Sequence, residues 1–120
     1  MKINPNGKMA ELIARIYMRC HGYNILEKNY ITGRGTHAGE IDFIARRKNT
    51  VVFVEVKKRK TIEKAAYAIS ELQKQRILRG ASAYLGKNNS LQGCNVRFDA
   101  ILVEPPFRIE HIKNAWQINN

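Results

Sequence analysis

The apolar run from Val51 to Val56 constrains the fold of this chain more than any other stretch. Its residues are β-branched or aromatic apart from one glutamate, and such a run predicts a strand that is covered on both faces. The exception is Glu55, and Lys57 follows it two residues later. Because side chains alternate across a strand, these two charged side chains are expected on the same face.

The residues before this run predict a second strand, so that the stretch from Gly39 to Lys60 forms a β-hairpin with a polar turn at Arg46–Thr50. The alternation of side chains along a strand places Glu40, Asp42 and Ile44 on one face of the first strand. Two neighbouring strands therefore each offer a carboxylate.

A carboxylate in a buried strand is costly unless it is paired or holds a metal ion. Asp42 and Glu55 can share a hard divalent cation, Mg²⁺ or Mn²⁺, because such ions prefer oxygen ligands. Lys57 can then neutralise or orient an oxygen of a substrate phosphate or of the attacking water. The same pattern is also compatible with a solvated pair on an exposed edge strand, where alternating charges are common.

The net charge of +11, from 21 Lys and Arg residues against 10 Asp and Glu, indicates a polyanionic partner. Nucleic acid is the first candidate and an anionic membrane surface the second, while a merely basic or ribosome-associated protein remains an alternative. Several basic residues flank the acidic pair or precede it, and they are expected to contact backbone phosphates rather than to form only a solvated surface. These residues are Arg34, Arg46, Arg47, Lys58, Arg59 and Lys60.

The length of 120 residues and the hydrophobic fraction of 44% predict a single domain, residues 1–120, with one core. No stretch approaches the roughly 20 apolar residues that a membrane span requires, and the first residues lack the layout of a signal peptide. Cys20 and Cys94 show neither a metal-ligand spacing nor a disulfide pattern, so both are expected to be free thiols in a reducing cytoplasm.

Apolar spacing, capping residues and glycines predict the remaining elements. In the last strand, Asp99 is expected to be an outward polar position, and beyond that strand Trp116 is expected to pack on the core rather than to stack on bases. In chain order the elements are a helix at Lys8–Cys20, a strand at Tyr23–Ile31, a short helix at Thr61–Ile69, a helix at Ser70–Leu85 and a strand at Asn95–Val103.

Two helical residues and one loop residue are ambiguous on pattern alone. Glu11 points away from the apolar stripe of the first helix, which favours a solvated first-turn glutamate, although Ala14 and Met18 lie on its flank. Lys74 falls on the apolar stripe of the second long helix, where a lysine either serves a phosphate or snorkels at the core margin. His37, in a glycine-rich loop, suits a general base, a metal ligand or a solvated side chain.

The spacing of Asp42, twelve residues and then Glu55-Val56-Lys57 resembles the core motif of PD-(D/E)xK nucleases, with Ile41 where the name of the motif has proline. Nearly the whole chain resembles the uncharacterised bacterial YraN-like proteins, which look like distant relatives of archaeal Holliday junction resolvases. The most specific matches are Gly39-Glu40-Ile41-Asp42 with Ile44-Ala45, and Phe53-Val54-Glu55-Val56-Lys57 with Arg59. Supporting matches are Gly7, Ala10-Glu11, Ala14, Gly22-Tyr23, Asn29, Lys74, Ala81, Tyr84-Leu85, Arg97-Phe98-Asp99 and Asn114-Ala115; the departures are Tyr30, Phe43 and Trp116.

The resemblance implies an α/β, restriction-endonuclease-like fold, in which helices flank a central mixed β-sheet. It also implies a catalytic set of Glu11, Asp42, Glu55 and Lys57, with Lys74 as an auxiliary. Junction-cutting enzymes of this fold are usually two-fold dimers, so a homodimer is compatible with the resemblance.

The resulting hypothesis is a Mg²⁺-dependent endonuclease that hydrolyses phosphodiester bonds in DNA, including branched or distorted DNA. Asp42 and Glu55 would ligate the cation together with the carbonyl oxygen of Val56, and Glu11 would bind through water or complete a second metal site. The alternative from another class is a nucleic-acid-binding module that retains the fold but cleaves nothing. A third, weaker alternative is an RNA- or ribosome-associated accessory protein.

Overall fold

A computed structural model of the chain describes residues 5–35, 38–58, 69–104 and 108–116. These residues form two helices, a 3₁₀ turn and five strands. The elements are helix α1 (Pro5–Cys20), strands β1 (Asn24–Thr32), β2 (Gly39–Arg47) and β3 (Thr50–Lys58), helix α2 (Glu71–Lys87), a 3₁₀ turn (Asn89–Leu91), and strands β4 (Asn95–Glu104) and β5 (Arg108–Ile112).

The five strands form one mixed sheet in the order β1-β2-β3-β4-β5. All neighbouring pairs are antiparallel except β3 and β4, which are parallel. A parallel pair requires a crossover connection, and α2 lies within it. The prediction of an α/β chain with a mixed sheet flanked by helices is therefore confirmed. No helix in the described ranges is long and apolar enough to cross a membrane.

The sheet is covered on both faces, and β3 lies at its centre. The buried residues on the α1 face are Ala10, Ala14, Met18, Tyr23, Phe43, Ala45, Val52, Val54, Val56, Ile101 and Val103. Those on the α2 face are Ile41, Ile44, Val51, Phe53, Ile77, Ala81, Tyr84, Leu91 and Phe98. Because β3 pairs with a strand on each side and contributes to both cores, the alternative of an exposed edge strand is excluded.

The hairpin turn is shorter than predicted, because β2 continues to Arg47 and β3 starts at Thr50. Only Lys48 and Asn49 connect the two strands, and Lys48 has a φ of 54°. A non-glycine residue in this left-handed region is typical of a tight two-residue hairpin turn. The turn lies at the opposite end of the hairpin from Asp42 and Glu55, so its charges are remote from those carboxylates.

The sequence Ser70-Glu71-Leu72-Gln73, with serine at the N-cap and glutamine three residues later, predicts a capping box at the start of α2, and the structure confirms it. The Gln73 N–H donates to Ser70 Oγ at 3.1 Å, and the Ser70 N–H donates to Gln73 Oε1 at 3.3 Å. The helix runs two residues beyond the predicted end at Leu85. Glycine tolerates helical backbone angles, so Gly86 does not end α2, and Asn88 caps it by donating from Nδ2 to the Tyr84 carbonyl at 2.7 Å.

The expectation that Asp99 points outward is wrong, because its side chain is fully buried on the α1 face. Arg97 donates to both carboxyl oxygens at 2.8 Å, His111 Nε2 lies 2.6 Å from Oδ2, and the Asn114 N–H donates to Oδ1 at 2.9 Å. Burial raises the pKa of Asp99, but the bonds from His111, Arg97 and Asn114 outweigh burial and hold the pKa below its ordinary value.

No pattern in the sequence clearly indicated β5, which carries His111 and pairs with β4. Its five residues are too few and too polar to show strand periodicity. The expectation for Trp116 is confirmed, since it packs on the core with its ring centroid 5.8 Å from that of Phe98. Cys20 and Cys94 are both free thiols. The short helix predicted at Thr61–Ile69 falls, apart from Ile69, outside the described residues.

Helix α2 crosses the start of β2 at two glycines that touch. A Cβ atom placed on Gly39 would collide with the backbone nitrogen of Gly80, at a separation that real Cβ atoms essentially never show. This contact lets α2 approach the strand that carries Asp42, and it therefore sets the height of the helix over the sheet.

We expect Gly39→Ala to lower the free energy of unfolding by about 2 kcal/mol or more, because neither backbone can yield without moving α2. Gly86→Ala is the matched control, since nothing lies within 4 Å of its added methyl group. There alanine should stabilise the helix by about 0.5–1 kcal/mol. Urea unfolding of both variants measures the two values, and equal effects would contradict the contact.

Candidate active site

Strands β2 and β3 part at Asp42. Their register runs regularly from Arg47 opposite Thr50 to Phe43 opposite Val54. At the next position the pairing is made by a side chain, because Asp42 Oδ2 accepts the Val56 N–H at 2.8 Å. A side chain thus replaces a backbone acceptor and opens a gap between the two strands.

Glu55 faces the same gap and has several partners. Its side chain is only 10% exposed, and Lys57 Nζ lies 3.3 Å from its Oε2. Gln73 of α2 donates from Nε2 to the same oxygen at 3.4 Å. The side chains of Asp42 and Glu55 line the same cleft, close enough that each carboxyl group shifts the pKa of the other. The structure therefore brings together Asp42, Glu55 and Lys57, as the motif predicts.

Burial, followed by the nearby Asp42 carboxylate, raises the pKa of Glu55 to about 8, despite the opposing effect of Lys57. Burial also raises the pKa of Asp42, although the bonds from the Val56 N–H and from Glu55 oppose this rise. Two buried carboxyl groups at this distance cannot both be ionised cheaply. In the absence of a cation, the pair therefore shares a proton at neutral pH.

The shared proton predicts how stability depends on pH. Because the pKa of Glu55 in the folded chain exceeds its ordinary value of 4.5, the folded state binds more protons between about pH 4.5 and 8. This contribution is complete below that window and is lost as the pH rises through it, by at most about 1.4 kcal/mol per pH unit.

We expect the thermal midpoint in EDTA to fall between about pH 5 and pH 8 more steeply for the wild type than for Glu55→Gln, which carries no titrating group at this position. Asp99 does not interfere, because its lowered pKa acts below this window. Differential scanning fluorimetry measures both slopes, and parallel slopes would show that Glu55 does not hold the proton.

The gap opens into a cleft of about 230 Å³ between the sheet, α1 and α2. Four acidic side chains, two basic side chains and one amide line it, so it is almost wholly polar. The acids are Glu11, Glu40, Asp42 and Glu55, the bases are Lys57 and Arg76, and the amide is Gln73.

Glu11 lies at this cleft, as the family resemblance implies. The expectation of a solvated first-turn glutamate is wrong, since α1 begins at Pro5 and Glu11 falls in the second turn, half-buried. Burial and then the Asp42 carboxylate raise the pKa of Glu11. Glu11 therefore lies beside the acidic pair, on the same cleft.

The structure does not bring Lys74 into the cleft. Its Nζ lies 3.1 Å from Glu71 Oε2, and its side chain lines a separate cavity of about 170 Å³ next to β4 and β5. One residue turns a helix by about 100°, so the neighbouring Gln73 faces the cleft instead. The spacing of Gln73 and Ile77, four residues apart on one helix face, was the signal that could have identified Gln73.

Two of the predicted phosphate-binding residues lie far from the cleft. Arg46 and Arg47 end β2, about 15 Å along the strand from Asp42 at about 3.3 Å per residue. Arg47 donates to the His21 carbonyl at 2.8 Å and lies over the Tyr23 ring at 4.4 Å, which indicates a structural role.

The other predicted basic residues are distributed differently. Lys58 is half-buried and follows Lys57 at the cleft end of β3, and Arg34 is exposed in the loop that leads into β2. Arg59 and Lys60 lie outside the described residues, as does His37. The prediction of phosphate contacts therefore stays untested for Arg59 and Lys60, as does the role of His37. Of the others, Lys58 directly follows Lys57, which lines the cleft.

The donor atoms at the gap are those that a hard cation prefers. The N–H and C=O groups of one strand residue point to the same side, so the Val56 carbonyl is directed towards Asp42, as is its N–H. Within the described ranges, no three His, Cys, Asp or Glu side chains are grouped to hold a metal. Two carboxylates and one carbonyl suit an ion that keeps several waters, and the proton they share is a charge that a cation would replace.

Comparison with known proteins identifies relatives of the chain along most of its length. Residues 10–103 match the model of an uncharacterised protein family, UPF0102. A UPF0102 protein of Paramagnetospirillum magneticum is 46% identical over 113 residues, which cover 94% of this chain and 88% of the relative. One from Bradyrhizobium diazoefficiens is 40% identical over 110 residues, covering 92% and 80% of the two chains. The chain therefore belongs to the UPF0102 family, which is the YraN-like family that the sequence resembles.

Proposed function

We propose that this protein is a metal-dependent endonuclease that hydrolyses phosphodiester bonds in DNA, with a restriction-endonuclease-like fold. One observation carries the proposal: Asp42, Glu55 and Lys57 line one cleft at the gap between β2 and β3, with Lys57 Nζ 3.3 Å from Glu55 Oε2. A buried acidic pair is costly for stability, and binding a cation that contacts a substrate phosphate would explain why the pair is present. The mixed sheet with a β3-α2-β4 crossover is compatible with this fold.

Each polar residue of the cleft would have its own role in the reaction. Asp42, Glu55 and the Val56 carbonyl would hold the cation, and Gln73 would fix the Glu55 carboxyl through its bond to Oε2. A bound Mg²⁺ or Mn²⁺ would supply Lewis-acid stabilisation of the negative charge that develops on the phosphoryl oxygens. Lys57 would orient the attacking water and stabilise that charge with its three N–H donors.

Glu11 would act from the other side of the cleft. It lies on α1 and lines the cleft together with Asp42, where it could accept a hydrogen bond from water bound near the acidic pair. The net charge of +11 favours a polyanionic substrate, and Lys58 directly follows Lys57 at the cleft end of β3. Affinity for DNA should therefore fall steeply with salt.

The test is a cleavage panel of duplex, single-stranded, flap and four-way DNA, incubated with Mg²⁺, Mn²⁺ or EDTA. The proposal requires cleavage of at least one substrate with a divalent cation and none with EDTA. Binding of DNA without cleavage under every condition would instead support the alternative of a non-catalytic nucleic-acid-binding module with the same fold.

A further inference from the structure

The cleft contains one cation that the proposed mechanism leaves without a role, the guanidinium group of Arg76 on α2. Its Nη2 lies 3.0 Å from Glu40 Oε1, in an ion pair whose side chains are 36% and 51% exposed. Exposed ion pairs of this kind contribute little, about 0–1 kcal/mol, to stability. A competing anion could therefore displace Glu40 at small cost.

One donor of the same guanidinium is unsatisfied. The Nε of Arg76 is buried and has no hydrogen-bond partner within the described part of the chain. The Nε and Nη2 groups form one edge of the guanidinium, and Arg97 uses this edge to bind both oxygens of Asp99 at 2.8 Å each. In Arg76 only half of the edge is used. An anion with two oxygens could bind Nη2 with one oxygen and supply the missing acceptor for Nε with the other.

The position of Arg76 is fixed by the glycine contact described above. Arg76 lies one helical turn before Gly80, and Glu40 directly follows Gly39. Because the two glycines touch, α2 is held where the guanidinium faces the start of β2. Arg76 is therefore presented to the cleft by a helix and a strand rather than by a loop, which gives it a defined geometry.

We propose that Arg76 is the phosphate-binding residue of this cleft and that Glu40 holds its guanidinium until a backbone phosphate displaces the carboxylate. The inference rests on the proposed function, because it takes the nucleic-acid backbone as the ligand. Arginine suits this role better than lysine, since its planar fork binds two oxygens of a phosphate at once. The phosphate would use both Nε and Nη2, as Asp99 uses those of Arg97.

The test is the binding of a fluorescein-labelled DNA duplex in EDTA, measured by fluorescence anisotropy. Arg76→Gln should raise Kd by roughly tenfold and reduce the slope of log K against log salt by about one. Arg76→Lys keeps the charge without the fork and should restore less than half of the lost affinity on a logarithmic scale. Glu40→Gln should lower Kd, because the competing carboxylate is gone.

The chain offers a matched control in the ion pair between Arg108 and Glu104, whose Nη1 and Oε1 lie 3.2 Å apart outside the cleft. Arg108→Gln removes the same charge as Arg76→Gln, and Glu104→Gln removes the same charge as Glu40→Gln. Each control should change Kd less than about threefold. Thermal midpoints of all variants check that the fold is intact.

The inference is overturned if Arg76→Gln weakens binding no more than Arg108→Gln, if Arg76→Lys binds like the wild type, or if the wild type binds no DNA. These outcomes are independent of catalysis, because EDTA prevents metal-dependent cleavage. Loss of binding in Arg76→Gln by a protein that never cleaves would uphold the phosphate site and refute the nuclease. Cleavage by the wild type, together with unchanged DNA binding by Arg76→Gln, would support the nuclease and refute the phosphate site.

Discussion

Replacing Asp42 by asparagine is expected to reduce Mg²⁺-dependent DNA cleavage by about three orders of magnitude or more, as expected for the loss of a metal ligand. Asparagine keeps the shape of the side chain and an oxygen that can accept the Val56 N–H, so the gap between β2 and β3 should persist. DNA binding in EDTA should remain within about threefold of the wild type, because the proposed phosphate-binding residue is Arg76 and not Asp42.

Glu104→Gln is the control for this experiment, since it removes a carboxylate that pairs with Arg108 on β5 rather than one at the cleft. Its cleavage rate should match that of the wild type. Initial rates on the best substrate of the panel, with binding measured in parallel, separate catalysis from affinity. Cleavage by Asp42→Asn at the wild-type rate would rule out the assignment of this residue.

The second large effect concerns stability. Asp99→Ala should lower the free energy of unfolding by about 3–5 kcal/mol, the usual cost of removing one partner from a buried ion pair. The change leaves the Arg97 guanidinium, His111 and the Asn114 N–H without their shared acceptor. Those bonds join β4 to β5 and to the turn that follows it, so the whole edge of the sheet depends on them.

Urea unfolding with an unchanged m-value measures this loss. Glu104→Ala, which breaks a more exposed ion pair on the same strand, should cost less than about 1 kcal/mol. Equal losses for Asp99→Ala and Glu104→Ala would show that the buried network contributes nothing beyond an exposed ion pair.

The sequence predicted the parts of the fold that local rules determine. The β-branched run at Val51–Val56 indicated a strand covered on both faces, and β3 is the central strand. The capping box of Ser70 and Gln73 located the start of α2 to the residue. The alternation along β3 placed Glu55 and Lys57 together, and the motif spacing brought Asp42 to them. In each case, neighbours in the chain or in one hairpin supply the interaction.

What the sequence did not predict depends on contacts between distant elements. Asp99 looks like an outward polar residue until β5 and the turn after it supply its partners, which come from 12 to 15 residues away. Gln73 and Arg76 reach the cleft only because Gly80 lets α2 settle on Gly39. The charges of Arg46 and Arg47 belong to the same hairpin as the acids, but the length of the strands separates them.

Isothermal titration of Mn²⁺ into the wild type and Glu55→Ala tests the central claim most directly. If Asp42 and Glu55 share a cation, the wild type should bind Mn²⁺ with release of a proton, and binding should strengthen from about pH 6 to pH 8 as the pair loses its proton. Glu55→Ala should lose this binding by at least about a hundredfold. The same Mn²⁺ affinity in both proteins, or none in either, would contradict a cation held between these two strands.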